Sequence, residues 1–299
     1  MIRNRIARRD AIAGYLFLVP WLAGFFLLTA GPMVASLLLA FTNYNLFASP
    51  SWVGLANFER MLGDPQFWTA WRVTLGYVVV AAPLKLATAL AVALMLNGIT
   101  KASGFYRSVF YAPSLVGASV SIAIVWRALF MDGSAVDLLG QILGFPAGGW
   151  VGQPAKTLPM LVLLAMWQFG APMVIFLAGL KQIPREFYEA AAVDGAGRTH
   201  AFWSITLPLL TPVLFFNLLL ETINAFQVFG SAFIISNGTG GPAQSSLFYT
   251  IYLYFRGFQD FQMGYASALA WVFVLVIGLI TLVVFRTSDR WVFYTAEQK

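Results

Sequence analysis

The chain has no cysteine, a single histidine (His200) and charged side chains at only 10% of its 299 positions. The lack of cysteine excludes disulfides, thiolate nucleophiles and cysteine-ligated metals, and one histidine does not make a metal site by itself. The apolar segments contain no Ser-His, paired-Asp or HExxH arrangement, and the sequence has no G-x-x-x-x-G-K-[ST] loop. We therefore assign no catalytic residue, no metal site and no cofactor site to this chain.

Apolar residues make up 60% of the sequence. An ordinary soluble domain carries about 25% charged residues, so this chain has too few charges to cover a soluble surface. Its apolar runs reach the roughly 18 to 20 residues that a helix needs to cross a bilayer. The sequence predicts an all-α integral membrane protein with about six transmembrane helices, over residues 15–41, 71–96, 105–130, 158–180, 209–235 and 263–286.

The lysines and arginines are divided unequally between the two sides of these spans. Twelve lie on the side of the N-terminus, five lie on the other side, and Lys85 lies within a span. By the positive-inside rule, this bias predicts a multi-pass protein with both termini in the cytoplasm. The basic residues form no stripe with interleaved aromatics, so no nucleic-acid partner is expected. Several aromatic residues near the outer ends of the spans are expected to be interfacial anchors: Trp52, Phe67, Trp68, Trp71, Trp150 and Tyr249.

The stretch 181–208 is the most distinctive of the predicted cytoplasmic segments. Pro184 and Gly195 predict a helix that begins near the proline and ends at the glycine, followed by a short helix from about Arg198. Its weakly apolar face of Phe187, Ala190, Ala191 and Asp194 indicates either a soluble partner or a linker that lies on the lipid headgroups. Glu189 lies four residues after Arg185 and can pair with it or contact a partner.

The same stretch contains a spaced set of residues: Glu189-Ala190-Ala191, Gly195, Ile205 and Leu207-Pro208. This spacing resembles the cytoplasmic signature of the permease subunits of binding-protein-dependent ABC importers. The resemblance continues through LANF (55–58), FYRSVFYAPSLV (105–116), FLAGLKQIPREFYEAAAVDGA (176–196), FQVF (226–229), GGP (240–242) and GYASALA (264–270). These segments are similar to the carbohydrate-uptake branch, which includes maltose and glycerol-phosphate permeases. The loop SNGTGGP (236–242) is slightly longer than that branch leads us to expect.

The resemblance implies an ABC type I importer permease fold in one domain over 1–299, located in the bacterial cytoplasmic (inner) membrane. It implies that 181–208 is a coupling loop that docks on a separate ATPase, with contacts from Glu189, Ala190, Ala191, Asp194 and Gly195. Two permeases, which the resemblance favours as different chains, would stand over two ATPase copies that bind ATP and Mg. An external binding protein would deliver a sugar-like solute, whose identity the sequence leaves open.

A polar stripe in the fifth predicted span is the main candidate for the solute path. Asn217, Glu221, Asn224, Gln227 and Ser231 fall within about 120° of one helix face at 100° per residue. Polar residues at membrane depth usually face a bundle interior or a water-filled path, although hydrogen bonding between helices would also explain them. In the fourth span, Trp167 and Gln168 place an aromatic face beside an amide, which suits a sugar ring, while packing explains the tryptophan equally well.

Lys85 and Glu221 are two charges at matching predicted depths. Lys85 is eleven residues from the inner end of its span and Glu221 is twelve from that of its own, or about 16 and 18 Å at 1.5 Å per residue. We predict an ion pair, with separate positions on a polar wall as the alternative. A secondary carrier, in which either residue binds a coupling proton, is a competing function. It would not need the docking loop at 181–208, which favours an ATP-driven permease.

Overall fold

The computed structural model describes residues 2–98, 103–117, 119–144 and 148–293, so Met1 and residues 294–299 at the two chain ends lie outside it. The described residues form helices, with one isolated β-bridge between Thr42 and Trp52. The α-helices are α1 (Ile2–Phe25), α2 (Gly31–Leu39), α3 (Ala56–Gly63), α4 (Pro65–Asn97), α5 (Ser103–Val116), α6 (Val120–Leu129), α7 (Ala135–Ile142), α8 (Pro154–Trp167), α9 (Gly170–Gln182), α10 (Arg185–Val193), α11 (Arg198–Ala201), α12 (Leu207–Phe226), α13 (Gly230–Ile235), α14 (Tyr249–Tyr254) and α15 (Met263–Ser288). Three π-helical turns lie at Phe26–Ala30, Phe202–Thr206 and Phe255–Gln259, and a 3₁₀ turn at Pro242–Gln244.

Four helical stretches are long and apolar enough to cross a membrane: Gly14–Leu39, Pro65–Asn97, Arg198–Ile235 and Met263–Ser288. Two bent pairs, Gly104–Val116 with Val120–Leu129 and Pro154–Trp167 with Gly170–Gln182, bring the number to six if each pair is one span. The prediction of about six spans is therefore confirmed. The third and fourth spans are not straight helices, because their halves meet at 95° and 45°. Residue 118, within the predicted third span, lies outside the described residues.

The chain divides into two compact units, residues 1–64 with 253–274 and residues 65–252 with 275–299. In the first unit, Asn57 Nδ2 donates to the carbonyls of Ala40 (2.8 Å) and Thr42 (2.9 Å). Arg256 pairs with Asp64 at 3.2 Å. A buried amide and an ion pair therefore hold the connecting segments of this unit in place. One permease domain over 1–299 stays a prediction.

In the second unit, α4 packs against α8, α9 and α12. Gly179 permits the close approach of α9 to α12, because a Cβ there would lie 2.7 Å from Val213 Cγ2. Small residues at such crossings are typical of membrane helices. The apolar core of this unit, which we name the inner cluster, consists of Leu86, Ala89, Ala93, Leu96, Met173, Phe176, Leu177, Leu180 and Leu210.

The aromatic residues expected at the membrane interface divide into an exposed group, a buried group and Trp150, which is partly buried. Trp52 and Trp68 are exposed, at 68% and 46%. Phe67, Trp71 and Tyr249 are instead buried, and the rings of Trp71 and Tyr249 lie 4.6 Å apart. The anchor prediction is wrong for these three residues, because α4 begins at Pro65 and carries Phe67 and Trp71 into the core.

Candidate functional site

The polar residues of the predicted fifth span lie on two helices. α12 ends at Phe226, and α13 begins at Gly230 after Phe229 leaves helical geometry at φ −139° and ψ −66°. The predicted single helix over 209–235 is therefore wrong at this break. Thr250 Oγ1 donates a hydrogen bond to the carbonyl of Val228. Such side-chain hydrogen bonds make interrupted helices tolerable at membrane depth.

A cavity of about 100 Å³, the central cavity, lies between α4, α8, α12 and α13. That volume holds several water molecules, since one needs roughly 10–15 Å³ on this measure. Its apolar lining is Ala81, Ala82, Leu161, Leu164, Ala165, Ala225 and Val228. Its polar lining is Tyr77, Lys85, Gln168, Glu221, Asn224 and Ser231.

Four of the seven residues named as path candidates line this cavity, namely Gln168, Glu221, Asn224 and Ser231. The other three, Trp167, Asn217 and Gln227, do not. Gln227 is exposed and follows the last residue of α12, so the helix break separates it from the stripe. Trp167 packs on Trp126 with ring centroids 5.8 Å apart. This contact agrees with packing, the alternative interpretation of Trp167.

Lys85 and Glu221 meet in the wall of the cavity. Lys85 Nζ lies 2.7 Å from Glu221 Oε2, and the two side chains are 15% and 10% exposed. The two opposite charges cancel, so the nearly buried ion pair carries no net charge. Desolvation is costly for each charge alone, and the partner's charge offsets it.

Tyr77 is a cavity residue that sequence reasoning missed. It lies two helical turns before Lys85 on α4, with Ala81 between them, and all three residues line the cavity. Its ring packs edge-on against Phe248 at 5.1 Å. The i, i+4, i+8 spacing from Lys85 was the signal that could have found it.

Gln168 is held in the bend between α8 and α9. Its side-chain Nε2 donates to the carbonyl of Gly117 at 3.0 Å, and its own carbonyl accepts from Ser114 Oγ at 2.9 Å. A Cβ on Gly117 would lie 2.4 Å from Gln168 Cγ. A glycine at position 117 is therefore needed for Gln168 to adopt this position.

Asn217 lies one turn before Glu221 on α12 and is fully buried. Neither polar atom of its side chain has a hydrogen-bond partner among the described residues. A buried amide without partners is costly in an apolar environment. The polar stripe thus extends beyond the cavity along α12, towards Leu210 of the inner cluster.

The predicted helix at the start of 181–208 is confirmed as α10. Gly195 has φ +78°, and the amides of Gly195 and Ala196 donate to the carbonyls of Ala192 (3.1 Å) and Ala191 (2.9 Å). This pair of bonds is a Schellman motif, in which glycine takes the left-handed position. The short second helix is confirmed as α11 at Arg198–Ala201.

The surface of α10 is exposed to solvent. Phe187 is 48% exposed and Val193 is 88% exposed, and Glu189 and Ala190 are also exposed. Among the ion pairs between described residues, none joins Arg185 to Glu189, so the intrahelical pair is not formed. The helix is instead tied to the base of the fifth span, because Tyr188 Oη lies 2.9 Å from Thr206 Oγ1.

Apolar spans around a polar, charge-paired cavity suit a membrane permease. Comparison with known proteins agrees. The family described as "Binding-protein-dependent transport system inner membrane component" matches residues 89–294. The probable ABC transporter permease protein YesP of Bacillus subtilis (strain 168) is 48% identical, over 100% of this chain and 97% of that protein. The lactose transport system permease protein LacF of Rhizobium radiobacter is 32% identical, over 96% and 97%.

A solved structure has the same fold. It is the bacterial alginate ABC transporter in complex with an alginate pentasaccharide-bound periplasmic protein, with a TM-score of 0.80 and 21% identity over 96% of both chains. The fold is therefore that of an ABC importer permease. The chain belongs to the family of binding-protein-dependent transport system inner membrane components, and it is a permease subunit, a transport component of the membrane.

Proposed function

We propose that the central cavity is part of the path by which a sugar or sugar-like solute crosses the membrane. The observation that carries this proposal is the set of amide, hydroxyl and charged groups from Tyr77, Lys85, Gln168, Glu221, Asn224 and Ser231 around one cavity. Solutes rich in hydroxyl groups need donors and acceptors that replace their hydration. The transport of lactose by one relative supports this class of solute.

The energy for transport comes from ATP hydrolysis by a separate ATPase. This ATPase docks on the 181–208 loop, with contacts from Glu189, Ala190, Ala191, Asp194 and Gly195. The exposed apolar side chains of Phe187 and Val193 support this docking, because a partner would remove them from water. ATP and Mg would be bound by that partner, since this sequence has no nucleotide loop. The Tyr188–Thr206 contact would carry the motion into α12.

The assembly would contain a second permease, a different chain, above two copies of the ATPase, with an external binding protein that delivers the solute. Both termini would face the cytoplasm, as the distribution of lysine and arginine predicts. In this arrangement, the 181–208 loop and the bound ATPase lie on the same side of the membrane. The second permease would supply the rest of the path.

Transport in proteoliposomes tests the proposal. The chain is reconstituted with its permease partner, the ATPase and a binding protein loaded with labelled sugar. We expect uptake that requires ATP, and we expect Asn224→Ala to reduce it more than Phe216→Ala, because Phe216 is 49% exposed on the same helix. Uptake driven by a proton gradient without the ATPase would instead identify a secondary carrier and overturn the proposal.

A further inference from the structure

Helices α5 and α9 cross in close contact at one point. A Cβ on Gly170 would lie 2.7 Å from both Phe110 O and Tyr111 Cα, so only glycine permits this approach. Ser114 Oγ accepts a hydrogen bond from the amide of Ala171 at 3.1 Å and fixes the crossing. The two helices are thus held together between the middle of α5, at Phe110 and Tyr111, and Ser114 near its end.

Beyond this crossing, towards the start of α5 and the end of α9, the helices leave an open groove of about 430 Å³. It is lined by Arg107, Ser108, Tyr111, Ala171, Val174 and Ile175. The α9 side is apolar, whereas the α5 side carries a guanidinium and two hydroxyl groups. A groove with one apolar side and one cationic side matches a ligand with an acyl chain and an anionic head.

Within the described part of the chain, no carboxylate pairs with Arg107. Among the ion pairs of the described residues, none includes this side chain, and its Nε is buried without a hydrogen-bond partner. An arginine in such a position favours a bidentate anion such as a phosphate. Its position near the start of α5, on the side of the membrane predicted to be cytoplasmic, suits the headgroup region of the inner leaflet.

The outer surface around the groove is apolar and exposed. Val109 and Val174 are 48% and 40% exposed, and Phe105 is 68% exposed. Side chains of this kind at membrane depth face hydrocarbon. The groove is therefore continuous with an exposed apolar surface of the helices.

We propose that the groove between α5 and α9 binds one anionic phospholipid of the cytoplasmic leaflet, with the phosphate on Arg107 and an acyl chain along Val174 and Ile175. Basic pockets between membrane helices on this side are known to bind anionic headgroups. The charge of Arg107 supplies the preference for an anionic lipid, and the apolar α9 side of the groove supplies binding that a free phosphate would lack.

Native mass spectrometry of the assembled transporter, purified in a mild detergent from membranes with phosphatidylglycerol and phosphatidylethanolamine, tests this site. We expect Arg107→Gln to lower retained phosphatidylglycerol about fivefold, the effect of one basic residue near the membrane surface. Retained phosphatidylethanolamine should not change. Arg286→Gln is the matched control, because Arg286 is an exposed arginine in the last turn of α15 and lies outside the groove.

A second variant, Val174→Trp, keeps the charge and fills the groove, and it should also reduce the retained phosphatidylglycerol. It keeps the test decisive if Arg107→Gln does not assemble. The proposal is overturned if both assembled variants retain phosphatidylglycerol as the parent does. It is also overturned if a cysteine at position 174 crosslinks to the second permease, since that chain would then occupy the groove.

Discussion

Lys85 Nζ and Glu221 Oε2 lie 2.7 Å apart and join α4 to α12 in the wall of the central cavity. The two helices pack against each other within one compact unit. The pair therefore places two opposite charges at the site without giving it a net charge. That neutrality suits an uncharged, hydroxyl-rich solute better than it suits an ion.

Removing one member of this pair should be more harmful than removing both. Lys85→Met or Glu221→Gln leaves a charge in a site with little water, which typically costs about 3–5 kcal/mol, whereas removal of both charges can be nearly neutral. Unfolding and transport measurements on the two single variants and the double variant test this. A double variant whose defect equals the sum of the single defects would show that the residues act independently.

The helix break at Gln227 predicts which positions of the fifth span line the solute path. The natural chain has no cysteine, so single cysteines can be probed with a small water-soluble thiol reagent. A cysteine at Asn224 should react and should be protected by solute, because Asn224 lines the cavity. A cysteine at Gln227 should not be protected, because Gln227 lies outside it.

The control for this experiment is a cysteine at Phe216, whose side chain is exposed on the same helix. It should react slowly, since a thiol in hydrocarbon does not form the reactive thiolate. Equal labelling at positions 216 and 224, without protection at either, would mean that the stripe serves packing between helices.

The end of α10 depends on the conformation of Gly195. A side chain in the left-handed region costs roughly 1–2 kcal/mol, so Gly195→Ala should distort the Schellman motif. We expect lower transport and weaker stimulation of the ATPase, with normal insertion into the membrane. Gly197→Ala is the matched control, because Gly197 has φ −70° and a Cβ there meets no atom within 4 Å. Equal transport activity of the two variants would show that Gly195 has no role in coupling.

The position of Gln168 depends on Gly117. In Gly117→Ala, the new Cβ would collide with Gln168 Cγ at 2.4 Å, and such overpacking typically costs about 1–3 kcal/mol. The variant should displace Gln168 from the cavity and reduce transport, as measured by uptake in proteoliposomes. Gly278→Ala, which has open space for its Cβ, should keep the parent's rate. Parent-like uptake in Gly117→Ala would show that transport does not require Gln168 in this position.

The sequence by itself determined the class of protein, the number of spans and the bounds of helix α10. Apolar runs of membrane length and the scarcity of charge require transmembrane helices whatever their packing. Pro184 and Gly195 likewise determine the bounds of α10 locally, because their effects on the backbone need no distant contact.

The sequence predicted that Lys85 and Glu221 meet, but only the tertiary structure decided which other polar residues share their cavity. The break after Phe226 moves Gln227 away from the stripe, and the face that α4 presents adds Tyr77 to the cavity. Trp167 faces Trp126 because of the relative placement of α6 and α8. Helical periodicity assigns residues to faces, but the bends, and the choice of neighbour for each face, arise from packing between segments far apart in the chain.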